Sequence, residues 1–361
     1  HVDEVKTTDK EVQNIINEFP KAFNLEVAPL LRVKLYYINN EQTLLLIDSH
    51  HIILDGTSLQ LLINEFCRMY NNNSTINCEI DYKDFSIWEN NYNSSSEYRT
   101  LENNWKEKFN NIEIPVINLP YDFPISQQRT FNGNTLHTTI FNETFEKIEV
   151  LSKKYNVTPY VFCLTVFYVL LYRYTGQNNI IIGSPISGRF SKELENIIGM
   201  FVNTLPLKFH VHFRKTFNDY MDSVKDMCLK AFEHQSYPFN EIVNNLNITR
   251  DASRNPLFDV LFTYQNEGNP TVNLNGINST YYLPDSKIAK FDLSLEAIPE
   301  NDKLNLSFEY CTNLFTHSFI NTMANHYLKI LEDVVNNPEI KLFNIDMLYQ
   351  KEKNKILVDF N

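Results

Sequence analysis

Apolar residues recur along this chain of 361 residues with two different periods, and short alternating runs are followed by longer helical patterns. Alternation through Val33, Leu35 and Tyr37 predicts a strand at 31–37, because side chains of period two cover one face of a sheet. The short apolar run at 43–49 predicts a second strand. The spacing of the apolar residues between Leu59 and Met69 predicts a helix over 58–70. Strands that alternate with helices in this way indicate an α/β or α+β fold class.

The second half of the chain repeats this alternation. The predicted strands there are 138–141, 179–183, 205–213, 260–265, 293–297 and 304–310, and the predicted helices are 143–155, 159–175, 217–232 and 318–336. The helix from Pro159 has the best-defined ends, with Thr158 as its N-cap and Gly176 just past its last residue. Its apolar run is shorter than the roughly 20 residues that span a bilayer, so we expect a buried core helix. The proline-rich segment 113–132 predicts a crossing between two subdomains.

Composition and charge narrow the functional classes. Charged residues make up 21% of the chain, which is typical of a globular protein. The net charge of −12 disfavours a surface that binds nucleic acid or an anionic membrane. The five cysteines are odd in number and widely spaced, which favours reduced thiols in a cytoplasm over a disulfide framework or a zinc site.

The segment 49–58, SHHIILDGTS, carries the strongest indication of chemistry. His50 and His51 end a predicted strand, Asp55 follows four residues after the second histidine, and Gly56 comes next. One imidazole is then suited to act as a general base or a hydrogen-bonding positioner, since histidine as a residue type can exchange a proton near neutral pH. Asp55 is expected to orient the loop, and Gly56 to permit the backbone turn that brings the carboxylate beneath it.

Two alternatives compete with this interpretation. The histidines could be two structural side chains with satisfied hydrogen bonds. A zinc site would need three or four ligands, and His50, His51 and Asp55 supply at most three from diverging positions. We therefore predict no metal. A serine triad is disfavoured because the chain has no GxSxG segment.

HHxxxDG resembles the signature of the chloramphenicol-acetyltransferase-like superfamily, and further segments resemble the condensation domains of nonribosomal peptide synthetases. These segments occur in the family's order and are AFNL at 22–25 with APLLR at 28–32, YKDFSIW at 82–88, GSPISGR at 183–189, IGMFVNTLP at 198–206, HQSYPF at 234–239 and RDASRNPL at 250–257.

The resemblance implies an α+β sandwich in which two acetyltransferase-like subdomains form a pseudo-dimer around a channel. The first would span 1-125 and be incomplete, the second would span 126-345, and 346-361 would be a linker toward an adenylation domain. The implied reaction is amide formation between a donor acyl or peptidyl thioester and an acceptor aminoacyl thioester. Both would arrive on the 4'-phosphopantetheine arms of upstream and downstream carrier domains, with no cofactor bound by the domain itself.

The resemblance also suggests roles for individual residues. His51 would be the base or positioner, His50 would be structural, and the Gly56 N–H would meet the oxyanion. Ser58, Asn203 and Ser294 would line the channel, and Asn203 in particular needs polar partners because its neighbours are apolar.

The chain also departs from the family pattern. The first two family motifs are missing, and the second normally supplies the arginine that pairs with the motif aspartate. We therefore expect Asp55 to lack a partner, and the chain to be a fragment of a longer enzyme that is poorly active alone. An epimerisation domain and a non-catalytic recruitment module of the same fold stay open as alternatives, although the intact GMFVNTLP segment and the histidine pair favour condensation.

Overall fold

The computed structural model describes residues 4–6, 9–38, 42–72, 74, 79–110, 114–246, 251–265, 270–282, 284 and 286–359. The strands are β1 (Glu4–Lys6), β2 (Leu31–Tyr37), β3 (Thr43–Ser49), β4 (Gly133–Ile140), β5 (Asn179–Ile186), β6 (Asn203–His210), β7 (Val260–Tyr264), β8 (Leu293–Glu300) and β9 (Lys303–Cys311). The α-helices are α1 (Asp9–Glu18), α2 (Gly56–Asn72), α3 (Tyr82–Tyr92), α4 (Ser96–Phe109), α5 (Asn142–Lys154), α6 (Pro159–Thr175), α7 (Phe217–Phe232), α8 (Phe239–Asn245), α9 (His317–Asn336) and α10 (Gln350–Asn354).

The chain folds into two compact units that are interleaved along the sequence. The first unit comprises His1–Asn91, Arg189–Val202 and Asn269–Pro284, and the second comprises Tyr92–Gly188, Asn203–Gly268 and Asp285–Asn361. Segments from the second half of the chain therefore complete the first unit. The predicted subdomains 1-125 and 126-345 are drawn from the family fold rather than from compactness, and they stay a prediction.

The first unit is built on a three-stranded sheet. β2 pairs with β3 in antiparallel register from Leu31↔Ser49 to Tyr37↔Thr43, and β1 pairs with β2 in parallel. A small apolar cluster joins α3 to the segment 189–202 and consists of Phe85, Leu194, Ile197 and Phe201.

The second unit holds the main core. Its six strands have the order β4-β9-β8-β7-β5-β6, with parallel pairs at β5–β7 and β7–β8. The helix α6 contacts α5, α7 and α9 and is fully buried from Val161 to Leu171. Thr158 accepts a hydrogen bond from the Val161 N–H, and Gly176 ends the helix with a φ of 67°. These ends and this burial confirm the predicted core helix.

Within the described part of the chain, no single helix is long and apolar enough to cross a membrane. The pair α5 and α6 passes that test only when taken together, by length and composition, and the two helices are bent by 106°.

The described cysteines are buried free thiols, namely Cys67, Cys163, Cys228 and Cys311, and Cys78 lies outside the described residues. Cys163, on α6, is fully enclosed. Burial raises the pKa of the Cys163 thiol to about 12, which keeps it protonated and unreactive.

Two buried carboxylates lie side by side where the parallel strands β7 and β8 begin. Asp259 and Asp292 precede the two strands, and Arg129 bridges them at 3.7 Å and 3.3 Å. Arg254 lies 3.1 Å from Asp259, and the Tyr121 hydroxyl donates to Asp292 at 2.9 Å. Burial and, next, the charge of Asp259 raise the pKa of Asp292 to about 6, because these effects outweigh the tyrosine and the arginines.

The raised pKa of Asp292 makes the stability of the second unit depend on pH. The native carboxyl binds its proton more tightly than an unfolded aspartate of pKa 3.8, so its stabilising contribution is lost as pH rises through about 6. We expect the stability of Asp292→Asn relative to the wild type to increase by about 1 to 3 kcal/mol between pH 4 and pH 7.5. Urea denaturation at a series of pH values measures this difference. The exposed Asp226 on α7 provides the control substitution, and a difference for Asp292→Asn that stays constant with pH would contradict the account.

Candidate active site

The histidine pair lies on a short loop between β3 and α2. The backbone N–H of His50 donates to the carbonyl of Leu30 at 3.0 Å, which continues the β2–β3 pairing by one residue. The N–H of Ile53 then donates back to the His50 carbonyl at 3.1 Å and forms a turn. The loop is therefore ordered by its own backbone, and both histidines sit just past the end of the strand.

The His50 ring is used by the loop itself. Its Nδ1 accepts a hydrogen bond from the Ile52 N–H at 3.1 Å, and the Phe23 ring meets it edge-on at a centroid distance of 6.2 Å. A ring that accepts through Nδ1 carries its proton on Nε2 when neutral. This geometry supports the predicted structural role of His50.

The His51 side chain has a different environment. It is exposed, and its ring forms no hydrogen bond or ion pair with any residue that the structure describes. Its nitrogens are thus available to a substrate, in contrast to those of His50. One imidazole is therefore exposed and the other engaged, and the predicted roles of the two histidines stay predictions.

Asp55 is the N-cap of α2 and is only 1% exposed. Its Oδ1 accepts from the Ser58 N–H at 2.7 Å, and its carbonyl accepts from the Leu59 N–H at 2.9 Å. Aspartate is favoured at this position because it satisfies amide groups that the first helical turn leaves without partners. The cap explains why the helix begins at Gly56, two residues before the predicted start.

Asp55 has a charged partner, so the prediction that it lacks one is wrong. Nη2 of Arg189 lies 3.1 Å from Oδ1 and 3.4 Å from Oδ2, and Oδ2 also accepts from the Phe201 N–H at 3.0 Å. Arg189 is the last residue of the GSPISGR segment and lies 134 positions further along the chain. The ion pair therefore forms within the first unit through the inserted segment 189–202, without the missing motif.

Arg189 is itself held in place by hydrogen bonds from its other guanidinium N–H groups and by contact with an aromatic ring. Nη1 donates to the carbonyls of Leu194 and Ile197 at 2.7 and 2.8 Å, and the guanidinium lies 4.1 Å from the centroid of the Phe201 ring. A planar guanidinium with several fixed acceptors is well suited to a buried pair, since its geometry is preorganised. Arg189 thus links the start of α2 to the turn at 194–197.

Ser58 belongs to the same hydrogen-bonded network and is fully buried. Its hydroxyl donates to the Gly199 carbonyl at 2.7 Å and accepts from the Gly199 N–H at 2.9 Å and from Arg189 at 2.7 Å. These bonds engage the whole hydroxyl. The predicted channel-lining role of Ser58 stays a prediction, and this burial does not support it.

Gly56 is the first residue of α2, and its backbone does not adopt the positive φ that a glycine-specific turn would require. The predicted reason for this glycine is therefore wrong. An added Cβ would meet nothing within 4 Å, so glycine leaves open space in front of the helix start. Its N–H forms no hydrogen bond with any described residue, as expected for the first amide of a helix.

The other two predicted channel residues belong to the second unit. Asn203 donates to the carbonyls of Gln235 and Tyr237, both at 2.8 Å, and accepts from the N–H groups of Thr204 and Phe239. Its predicted need for polar partners is met, and its amide holds the loop 235–239. Ser294 on β8 is 9% exposed, and its hydroxyl has no partner among the described residues. The channel-lining roles of both stay predictions.

The side chains do not gather into a metal centre within the described ranges, where no group of three or more histidine, cysteine, aspartate or glutamate side chains could hold an ion. The Asp55 oxygens are already occupied by Ser58, Arg189 and Phe201. His50, His51 and Asp55 are therefore not assembled as a zinc site.

The fold and the histidine loop together define the chloramphenicol-acetyltransferase-like class. The chain belongs to the condensation domain family, whose model matches residues 1–357. It is 41% identical over 357 residues to tyrocidine synthase 2 of Brevibacillus parabrevis, covering 99% of this chain and 10% of that protein. It is 39% identical over 356 residues to gramicidin S synthase 2 of Brevibacillus brevis, covering 99% of this chain and 8% of that protein.

The fold is also that of a solved synthetase structure. A holo four-domain nonribosomal peptide synthetase bound to AMP and glycine matches with a TM-score of 0.86 and 20% identity, over 98% of this chain and 28% of that one. The chain thus corresponds to one domain of nonribosomal peptide synthetases and spans about a tenth or less of the length of the curated relatives above.

Proposed function

We propose that this chain catalyses amide-bond formation between a donor acyl or peptidyl thioester and the amine of an acceptor aminoacyl thioester. The single observation that carries the proposal is the His51 imidazole, which is exposed and has no hydrogen bond to the described residues, beside a hydrogen-bonded His50 ring and Asp55 carboxylate. A reactive side chain that is held in position by its loop, but free of internal partners, is what positioning catalysis requires.

Amide formation from a thioester mainly requires that the amine be positioned and that one proton be transferred. The neutral acceptor amine attacks the thioester carbonyl carbon, and the C–N bond forms as the carbonyl oxygen becomes an oxyanion. His51 accepts a proton from the nitrogen, or holds the amine by a hydrogen bond, and the thiolate leaves as the C–S bond breaks. The oxyanion collapses to the amide carbonyl as the thiolate leaves, and the thiolate takes up the proton that the nitrogen lost, so charge and atoms balance.

The start of α2 supplies a site for the developing negative charge. The Gly56 N–H lies at the positive end of the helix dipole and has no described partner. We assign it the role of an oxyanion donor, which a fixed backbone amide performs without reorganisation. Asp55 and Arg189 position this amide but do not touch the reacting atoms.

The proposed partners follow from the family. The donor and acceptor would be carried by phosphopantetheine arms of carrier domains on either side, beside an adenylation domain in a cytoplasmic synthetase. The domain itself would bind no cofactor or metal. Asn203 and Ser294 are proposed to lie along the path of these arms, and 346-361 to lead toward the adenylation domain.

A chirality assay tests the proposal against epimerisation. The chain is mixed with an L-aminoacyl thioester on an acceptor carrier, with or without a donor thioester on a second carrier. We expect a dipeptidyl thioester when both are present and an unchanged α-carbon when the donor is absent. Chiral chromatography of the hydrolysed products makes the measurement.

The other outcomes identify the alternatives. Conversion of the L-aminoacyl thioester to a mixture of L and D forms without a donor would indicate an epimerisation domain. Binding of both carriers without any product would indicate a recruitment module. Either result would overturn the proposal.

A further inference from the structure

We propose that Tyr82 is a positioning residue for the reaction, and that it acts by packing its ring on Gly199 and thereby fixing the backbone that holds Asp55. This inference rests on the proposed function, since it assigns how the loop bearing His51 is held. Tyr82 is the first residue of α3, and among the described residues no hydrogen bond or ring contact joins its side chain to the histidine loop.

Tyr82 contacts the segment 199–201 through a hydrogen bond and through ring packing. Its hydroxyl donates to the Met200 carbonyl at 2.8 Å, and its ring meets the Phe201 ring edge-on at 5.1 Å. The Phe85 ring, one turn further along α3, lies 4.7 Å from Phe201. The helix α3 therefore contacts this segment through one hydrogen bond and through the packed rings of Tyr82, Phe85 and Phe201.

Gly199 is the point of closest approach. A Cβ built on Gly199 would lie 2.0, 2.6 and 2.7 Å from three ring atoms of Tyr82, and these are its three nearest neighbours. Such distances are far inside van der Waals contact, so only glycine permits the ring to rest on this backbone. The Tyr82 ring therefore occupies the space that a side chain at position 199 would need.

The backbone under the ring supplies the surroundings of Asp55. The Gly199 carbonyl accepts from the Asp55 N–H at 3.3 Å, and the Phe201 N–H donates to the Asp55 carboxylate at 3.0 Å. Gly199 also bonds the Ser58 hydroxyl through both its N–H and its carbonyl. Three peptide groups thus hold the first turn of α2 from one side.

A shift of the backbone at 199–201 would displace Asp55 and, with it, the Gly56 amide and the loop that carries His51. Asp55 is bound to the segment through both its N–H and its carboxylate, and it is the N-cap residue next to Gly56. Displacing it moves the Gly56 amide and the end of the His51 loop. Misplacement of catalytic groups by about 1 Å can cost about 10²-fold in rate, so this packing affects turnover rather than stability alone.

A double-mutant cycle between Tyr82 and Gly199 tests the inference on the full chain. We expect Gly199→Ala to lower the kcat of amide formation at least about tenfold in the wild-type background, because the methyl group displaces the ring. In the Tyr82→Ala background the same change should cost less than about twofold, because the clash is gone. Tyr82→Phe keeps the ring and loses the hydroxyl, so we expect a fall in kcat of about threefold to tenfold with KM for the acceptor thioester within about twofold.

Hydrogen exchange gives a readout that does not depend on activity. The amides of Gly199 and Phe201 should exchange at least about tenfold faster in Gly199→Ala than in the wild type, and faster by a similar factor in Tyr82→Ala. Tyr70→Phe is the matched control, because Tyr70 is half-exposed on α2 in the same unit and should leave both readouts unchanged.

The outcomes separate this inference from the proposed function. An equal loss from Gly199→Ala in both Tyr82 backgrounds, or an unchanged kcat in Tyr82→Phe and Gly199→Ala, would overturn the positioning role. A wild-type chain that forms no amide would overturn the proposed function, and in that case unchanged exchange at residues 199–201 in Gly199→Ala would still overturn the packing argument. A smaller loss of kcat from Gly199→Ala in the Tyr82→Ala background, together with faster exchange at residues 199 and 201 in both single variants, supports the inference.

Discussion

Replacing His51 with alanine is expected to lower the single-turnover rate of amide formation by about 10²–10⁴-fold, the usual contribution of a positioned acid–base group. The substitution removes the one imidazole of the loop that is exposed and free of described partners. Because His51 makes no side-chain bond to the described residues, we expect the fold to be unaffected. The rate is measured with donor and acceptor thioesters on separate carrier domains.

Two controls separate chemistry from structure in this experiment. His212→Ala removes an exposed histidine of the second unit and should leave the rate unchanged. His50→Ala removes the acceptor for the Ile52 N–H and should loosen the loop, which hydrogen exchange over 50–54 would detect. A His51→Ala rate within about twofold of the wild type would remove His51 from the mechanism.

Replacing Arg189 with alanine is expected to destabilise the first unit by about 3–5 kcal/mol, the usual cost of leaving a buried charge without its partner. Asp55 is 1% exposed and would keep two amide donors but no cation. The carbonyls of Leu194 and Ile197 would also lose their donor. Hydrogen exchange of peptides from α2, compared with peptides from α6, measures the loss in the first unit alone.

The matched substitutions decide the cause of this loss. Arg68→Ala removes an exposed arginine of α2 and should cost less than about 0.5 kcal/mol. Asp55→Asn combined with Arg189→Leu removes both charges and should be less destabilising than Arg189→Ala alone. A single Arg189→Ala variant that is as stable as Arg68→Ala would show that the pair does not hold the loop.

Local sequence signals located the regular elements well where they were strong. The predicted strands 31–37 and 43–49 coincide with β2 and β3, since alternation marks the first, an apolar run marks the second, and the polar turn at 39–40 separates them. The end signals at Thr158, Pro159 and Gly176 fixed both ends of α6. Such signals work because they report the hydrogen bonding and backbone conformation of the residues that carry them.

The polar helix α4 was missed, although its sequence holds a usable signal. Ser95 caps the helix, and Tyr98, Leu101, Trp105 and Phe109 recur at helical spacing on one face. Asparagine, lysine and glutamate fill the remaining positions and mask this narrow apolar stripe. Counting matches to the helical period would have found it.

The partner of Asp55 could not be predicted from local pattern, because the ion pair joins residues 134 positions apart. The family comparison pointed to a missing motif, whereas the arginine was present at the end of the GSPISGR segment. A buried carboxylate needs a nearby cation, and Arg189 is the one charged residue of the GSPISGR segment. The roles of Tyr82 and Gly199 likewise depend on a contact between distant segments that only the three-dimensional structure brings together.

The central claim is that the loop bearing His51 joins two carrier-bound acyl groups through an amide. Intact-mass measurement of both carriers after a single turnover tests it most directly. The account predicts that the donor carrier loses its acyl group and the acceptor carrier gains the same mass with the wild type, and that this transfer is nearly abolished in His51→Ala. Equal transfer by both proteins, or a donor carrier that releases its acyl group to water while the acceptor mass stays constant, would contradict it.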